Sequence, residues 1–240
     1  MIRPELVVLD DPAAVAAAAA QRVIDGVRSS IGPYSLSLAG GSTPKAAYSL
    51  LSGPRVDELD WSRVGIYFGD ERCYPPEHAD SNFRMATTTL LVPLGRAGHS
   101  PRLVARIEGE LDPDEAAKRY AEKLRALPER AGAPSLDLVL LGMGPDGHTA
   151  SLFPGASILR AGGTVAATAE PHLGVRRISL TYTALNAARE IVVLVTGADK
   201  AASLKLALDG APGTVPLRDV RPIEGRMTVL CDRAVANALG

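Results

Sequence analysis

The sequence predicts an α/β fold with a mostly parallel sheet and helices on both faces. Three observations carry that expectation. Strand-like and helix-like runs alternate from one end of the chain to the other, as in repeated strand–helix–strand units. Leu138-Val139-Leu140-Leu141 is an unbroken apolar run, as expected of a strand buried on both faces. No repeat, charge block or low-complexity linker divides the 240 residues, so one Rossmann-like domain spanning residues 1–240 is expected.

The elements follow in order. Glu5–Leu9 reads as a strand. Asp11 and Pro12 then read as cap and first turn of an alanine-rich helix running to about Ser30. Tyr34–Leu38 and Val64–Phe68 are short β-rich runs, separated by a helix that starts at Pro44. Leu94 to Gly109 is the best candidate for a long loop or small lid. Asp112 caps a helical pattern from Pro113 to Leu127. Leu136–Leu141, Thr164–Ala169, Arg177–Leu180, Ile191–Thr196 and Met227–Leu230 are further strands, with a helix from about Ala198 to Leu208.

Composition narrows the function classes. A net charge of −1 with 22% charged residues provides no basic field for nucleic acid. The alanine-rich apolar run Ala13 to Ala20 is far too short to span a bilayer. Arg3, Glu5, Asp10 and Asp11 break up the apolar N-terminus, which is not the pattern of a secretory signal. Cys73 and Cys231 are too few and too far apart for a disulfide framework or a zinc site, and read as buried or indifferent thiols. A cytoplasmic protein with no membrane or nucleic-acid partner and no metal is the expectation.

Four polar motifs each follow a predicted strand, and in an open α/β sheet ligands sit beyond the carboxyl ends of the strands. Gly40-Gly41-Ser42-Thr43-Pro44 suits an anion, since glycines free backbone N–H groups, hydroxyls add donors and a helix N-terminus follows. An ordinary capped helix start is the plainer reading, and the lysine of a nucleotide P-loop is missing. Gly69-Asp70-Glu71-Arg72 and Gly197-Ala198-Asp199-Lys200 each bring a cation to the same rim, where Arg72 and Lys200 are placed to clamp a phosphate. Asp70 and Glu71 either orient Arg72 or neutralise it. One of Arg176 and Arg177 is placed to reach the same anion, an exposed edge charge being the other reading.

The fourth motif, Gly142 to Pro154, delivers Asp146 and His148 two residues apart within a glycine turn. Histidine is the side chain best suited to moving protons near neutral pH. The same stretch matches G-x-G-x-x-G at Gly142, Gly144 and Gly147, with Glu170 at a distance suited to a ribose contact. Pro145 inside the turn and Pro154 soon after it oppose the crossover helix that a dinucleotide fingerprint should open. His78, His99 and His172 have no metal-ligand spacing and read as surface histidines.

Together, Leu38 to Pro44, Phe68 to Arg72, Gly142 to Pro154 and Arg177 to Thr181 resemble, in order and spacing, the motifs of the 6-phosphogluconolactonases. The resemblance extends from near residue 5 to near residue 230. It implies a fold similar to glucosamine-6-phosphate deaminase and ribose-5-phosphate isomerase. The implied reaction is hydrolysis of 6-phosphogluconolactone to 6-phosphogluconate in the pentose phosphate pathway, without a cofactor. On this reading Ser42, Thr43, Arg72 and Lys200 hold the phosphate, and Gly41, Asp70 and Arg177 complete the substrate-binding set. His148 activates water, Asp146 orients it, and N–H groups of the glycine turn are candidates for the oxyanion. The deaminases carry a glutamate five residues after the histidine, where Phe153 stands here. A non-catalytic sugar-phosphate sensor is the rival from another class, and no helix-turn-helix pattern supports it. A monomer or small homo-oligomer is expected.

Overall fold

Apolar β-rich segments build the centre of the molecule, and the order in which they are laid down fixes where a ligand can sit. The computed structural model describes residues 4–239, so Arg3 lies outside them. The strands are β1 (Glu5–Leu9), β2 (Tyr34–Leu38), β3 (Val64–Phe68), β4 (Asp70–Arg72), β5 (Leu103–Val104), β6 (Glu129–Arg130), β7 (Ala133–Pro134), β8 (Leu138–Gly142), β9 (Val165–Ala167), β10 (Arg177–Leu180), β11 (Glu190–Val195) and β12 (Arg226–Asp232). Among the described residues, seven of these form a parallel sheet in the order β1-β12-β11-β8-β2-β3-β5. A small antiparallel sheet runs β4-β10-β9, and β6 with β7 makes a short hairpin.

From β1 through β2 and β3 to β5 the chain steps toward one edge of the sheet. From β8 through β11 to β12 it steps toward the other. Because parallel crossovers are right-handed, the two halves place their connections on opposite faces. The reversal point lies between β2 and β8. This mostly parallel α/β architecture agrees with the sequence reading.

The helices follow local signals. In α1 (Pro12–Ser29) Asp11 accepts from the Ala14 N–H at 2.8 Å, and Val15, Ala16, Ala19, Ala20, Val23, Ile24 and Val27 form one buried stripe. The others are α2 (Ser42–Leu51), α3 (Asn82–Ala86), α4 (Val92–Arg96), α5 (Pro113–Leu124), α6 (Tyr182–Asn186), α7 (Ala201–Asp209) and α8 (Arg233–Leu239). Asp112 caps α5 through the N–H groups of Asp114 and Glu115. Among the described residues no helix is long and apolar enough to cross a membrane.

Two expectations are corrected. Leu94–Gly109 is not one long loop: its start completes α4 and Leu103–Val104 becomes the edge strand β5. A π-helical turn at Thr87–Leu91 joins α3 to α4 and carries the helix past Pro93, with Leu90 and Leu94 fully buried. The predicted strand Arg177–Leu180 exists but belongs to the antiparallel sheet. The chain enters that sheet at Gly69, whose N–H donates to Leu38 while its carbonyl accepts from Leu180, both at 2.9 Å. Cys231 is buried and Cys73 half-buried, and burial pushes the Cys73 thiol up to about 11.

Two buried tyrosines close the backbone where strand pairing ends. The Tyr48 hydroxyl accepts from the Ala39 N–H and donates to its carbonyl, both at 2.9 Å, just past β2. Tyr120 does the same for Phe68 at the end of β3, both at 2.8 Å. Burial raises both phenols far above their usual value. Tyr120→Phe strands a buried donor and a buried acceptor, so urea unfolding should show a loss of about 1–3 kcal/mol. An unchanged midpoint would mean that Phe68 finds other partners.

Candidate active site

Strands β2 and β8 are paired only at Leu36 with Leu138 and Ser37 with Val139. Beyond that they part, and a cleft of about 250 Å³ opens between the loops that follow them. This is where the winding of the sheet reverses, the crevice that open α/β folds use for ligands. Gly41, Ser42, Thr43, Asp70, Arg72, His148 and Lys200 all line it. Sequence reasoning named these seven.

The loop after β2 turns at Gly41, where φ is +107°, a value that favours glycine. No side chain caps the start of α2, so its first N–H groups face the cleft with the hydroxyls of Ser42 and Thr43. Gly40 permits a close approach, since a Cβ there would lie 2.3 Å from Asn82 Oδ1. Thr43 Oγ1 stands 3.1 Å from Thr196 Oγ1, and Lys200 Nζ donates to the Thr196 carbonyl at 2.7 Å. These contacts place an ammonium beside the helix terminus.

The motif on β4 divides its labour. Asp70 accepts from Asn82 Nδ2 at 3.0 Å and from Ser151 Oγ at 2.6 Å at the edge of the cleft. Glu71 points the other way and accepts from the N–H groups of Arg72, Asn82 and Phe83 and from Ser81 Oγ. It serves the start of α3, and burial pushes its carboxyl up. Both carboxylates are thus engaged elsewhere than on the Arg72 guanidinium. Arg72 donates through Nη1 to the Asp80 carbonyl, and its Nε has no hydrogen-bond partner.

Arg177 stands opposite Arg72 in the β4–β10 register. It does not line the cleft: it is 7% exposed, donates to the His172 carbonyl at 3.3 Å and leaves its own Nε unpaired. Burial, then the charge of Arg72, pushes its pKa down. Arg176 is committed elsewhere, to the Thr168 carbonyl and to Asp114.

The turn after β8 is self-contained. Gly144 N–H donates to the His148 carbonyl and Gly147 N–H to the Gly144 carbonyl, both at 3.0 Å. The His148 N–H donates to Asp146 Oδ1 at 3.2 Å. These three N–H groups are therefore occupied within the turn and are not offered to an oxyanion. Gly147 has φ +77°, and a Cβ on it would lie 2.6 Å from Val215 Cβ. Leu217 N–H and Ser203 Oγ brace the turn through the carbonyls of Gly147 and Pro145. No crossover helix opens after Gly147. A bridge between Thr149 and Leu152 and a 3₁₀ turn at Ser157–Arg160 follow instead, so the dinucleotide reading fails.

His148 Nδ1 lies 2.6 Å from Asp146 Oδ1. Partial burial pushes the Asp146 carboxyl up, but the hydrogen bonds from the His148 ring and backbone outweigh it and hold it below the usual range. Asp146 is therefore an anion throughout the neutral range, fixing the ring and able to support an imidazolium. The second ring nitrogen is left to act on a bound molecule. His78 and His99 are partly exposed, as expected, beside Asp80 and Asp57. His172 is partly exposed like them, and its ring is stacked on Phe153 at 3.7 Å. Sequence reasoning also missed Asn82 and Thr196, which line the cleft. Ser81-Asn82 carried a visible signal as a helix cap after the β4 motif, but Thr196 had none.

Comparison with known proteins places this geometry. A family model described as glucosamine-6-phosphate isomerases/6-phosphogluconolactonase matches residues 10–229. The chain belongs to that family. A 6-phosphogluconolactonase of Treponema pallidum is 41% identical over 185 residues, covering 76% of this chain and 75% of that protein. One from Rattus norvegicus is 34% identical over 235 residues, covering 95% and 89%. The solved 6-phosphogluconolactonase of Trypanosoma brucei superposes with a TM-score of 0.84 at 30% identity over the whole of both chains. The fold class read from the sequence is that of the family.

One substitution tests the tightness of the glycine turn. A Cβ on Gly144 would lie 2.1 Å from His148 Cε1. Gly144→Ala should keep the circular dichroism of the parent yet displace the imidazole, lowering kcat by roughly 10², the effect of a misplacement near 1 Å. Parental turnover in a folded variant would show that the ring position is not critical.

Proposed function

We propose that this chain is a 6-phosphogluconolactonase, hydrolysing 6-phospho-D-glucono-1,5-lactone to 6-phosphogluconate in the oxidative pentose phosphate pathway. The single observation that carries the reading is His148, bound to Asp146 at 2.6 Å, in the same cleft as the anion-binding start of α2 and the side chains of Arg72 and Lys200. The cations and α2 hold the phosphate and fix the sugar ring. His148 takes a proton from water as that water attacks the lactone carbonyl, and returns it to the ring oxygen as the C–O bond breaks. Asp146 holds the imidazole in one tautomer and stabilises its charged form. Gly41 lets the backbone approach the phosphate. Asp70, fixed by Asn82 and Ser151, accepts from a sugar hydroxyl. Arg177 adds positive potential behind Arg72.

Deamination needs a further group to move a proton between sugar carbons. The ring of Phe153 lies 4.8 Å from that of His148, and an apolar ring relays no proton. The balanced charge of −1 fits a small-molecule substrate and no nucleic acid. We read the protein as a cytoplasmic, cofactor-free enzyme of one domain, working as a monomer or small homo-oligomer.

Purified protein given fresh 6-phosphogluconolactone, glucosamine-6-phosphate and ribose-5-phosphate in parallel should release acid only from the lactone, above a protein-free control. His148→Ala should lower that rate by roughly 10²–10⁴, the worth of a general base. Ammonia from glucosamine-6-phosphate at a comparable rate would overturn the assignment.

The proposed phosphate grip has its own test. Lys200→Ala and Arg72→Ala should each weaken binding of the phosphorylated lactone roughly 10- to 150-fold, for a charge-assisted hydrogen bond of about 1.5–3 kcal/mol. Binding of unphosphorylated gluconolactone should be nearly unchanged. Equal losses on both substrates would assign these residues to the fold or the chemistry.

A further inference from the structure

Three rings meet at one side of the cleft. Phe153 has its ring centroid 4.8 Å from that of His148, His172 lies 3.7 Å from Phe153, and the two imidazoles are 6.1 Å apart. These three distances make nearly a right angle at Phe153. His172, within 16° of parallel to Phe153, covers a face of that ring, while His148 abuts its edge. Phe153 is only 8% exposed. The catalytic imidazole thus has three supports: Asp146 on Nδ1, the bare backbone of Gly144 beside Cε1, and the edge of Phe153.

His172 is delivered to this place by a tight turn. Its N–H and carbonyl bridge to Val175, and the carbonyl also accepts from Arg177 Nη2. The two residues between have positive φ, +52° at Leu173 and +81° at Gly174. Leu173 adopts that disfavoured conformation with its side chain 86% exposed, so the turn is not held by packing of Leu173. What the turn places is His172. Strain of this kind persists where the surrounding structure demands it.

We propose that His172 is a positioning residue for the hydrolysis, acting by stacking on Phe153 and thereby pinning that ring against His148. The inference rests on the functional reading above. Without His172 one face of Phe153 is uncovered, the ring is free to swing, and His148 loses its third support. The charged and titratable groups around His172 are His148, Arg177 and Asp146. Burial, then His148 and Arg177, push its pKa below the usual histidine value, with Asp146 opposing. A neutral ring at this place stacks without opposing the imidazolium that His148 becomes during turnover.

The test follows the His148 Cε1–H resonance through a pH titration in the parent, His172→Phe and His172→Ala, without substrate, beside kcat and KM for the phosphorylated lactone. His172→Phe keeps the stack, so kcat within twofold and a parental titration are expected. His172→Ala should lose about tenfold in kcat with KM within twofold. Its His148 midpoint should shift, and the acidic limb of the kcat profile should move with it. If His172→Ala does not fold, His172→Leu removes the flat ring at similar volume and carries the same expectation. Parental kcat and titration in the variant without a ring would overturn the proposal. So would a His172→Phe as impaired as His172→Ala, because the imidazole nitrogens and not the stack would then be at work. A parent that does not open the lactone would sink the functional reading alone, since the titration still reports whether His172 governs His148.

Discussion

The reversal of winding between β2 and β8 is the constraint on which the rest depends. Two neighbouring parallel strands whose chains leave in opposite directions cannot cover the ground between their carboxyl ends. They pair at two positions and then part. Everything chemical gathers in that gap: a helix start from one side, the Asp146–His148 turn from the other, and cations from the flanking strands. The gap follows from strand order and the handedness of crossovers, before any catalytic side chain is considered.

Opening a sheet leaves backbone groups without partners in a buried setting, and those groups must be satisfied. Tyr48 and Tyr120 each give one hydroxyl to both the N–H and the carbonyl of a residue at a strand end. Glu71 gathers the Arg72 N–H on β4 and two N–H groups at the start of α3, which keeps Asn82 in place beneath Gly40 and against Asp70. These groups beside the cleft therefore have their own hydrogen bonds made. Arg72, which lines it, and Arg177, which does not, each keep a buried and unpartnered Nε.

Much of this was legible in the chain. The apolar run Leu138–Leu141 marked the central strand because both of its faces are covered, and the glycines after it marked a turn that a side chain would block. Ser42, Thr43, Asp70, Arg72, His148 and Lys200 were recoverable because each closely follows a strand, and strand ends share one rim. Other features left no local trace. The helical stretch through Pro93 went unread because the π-helical turn that leads into it has no sequence period of its own. The position of Arg177 depended on which sheet its strand joins, and Gly69 decides that by serving both sheets at once. His172 meets Phe153 across eighteen intervening residues that include a 3₁₀ turn and β9, and stacking between such partners has no spacing rule.

The hinge at Gly69 also divides the site between two structural bodies. The acid–base turn is an extension of the parallel sheet, whereas Arg72, Arg177 and the turn bearing His172 belong to the antiparallel one. On the proposed reading the acid–base pair comes from the parallel sheet alone, while the grip on the anion draws on both sheets, Lys200 from one and Arg72 from the other. On the proposed reading, an altered turn after β8 would change the reaction while the grip on a phosphate is kept, and the position of Phe153 is one place where such an exchange would act. A family whose description spans isomerases and lactonases is what such a partition allows. In the proposed site the handle and the chemistry are separate pieces of chain.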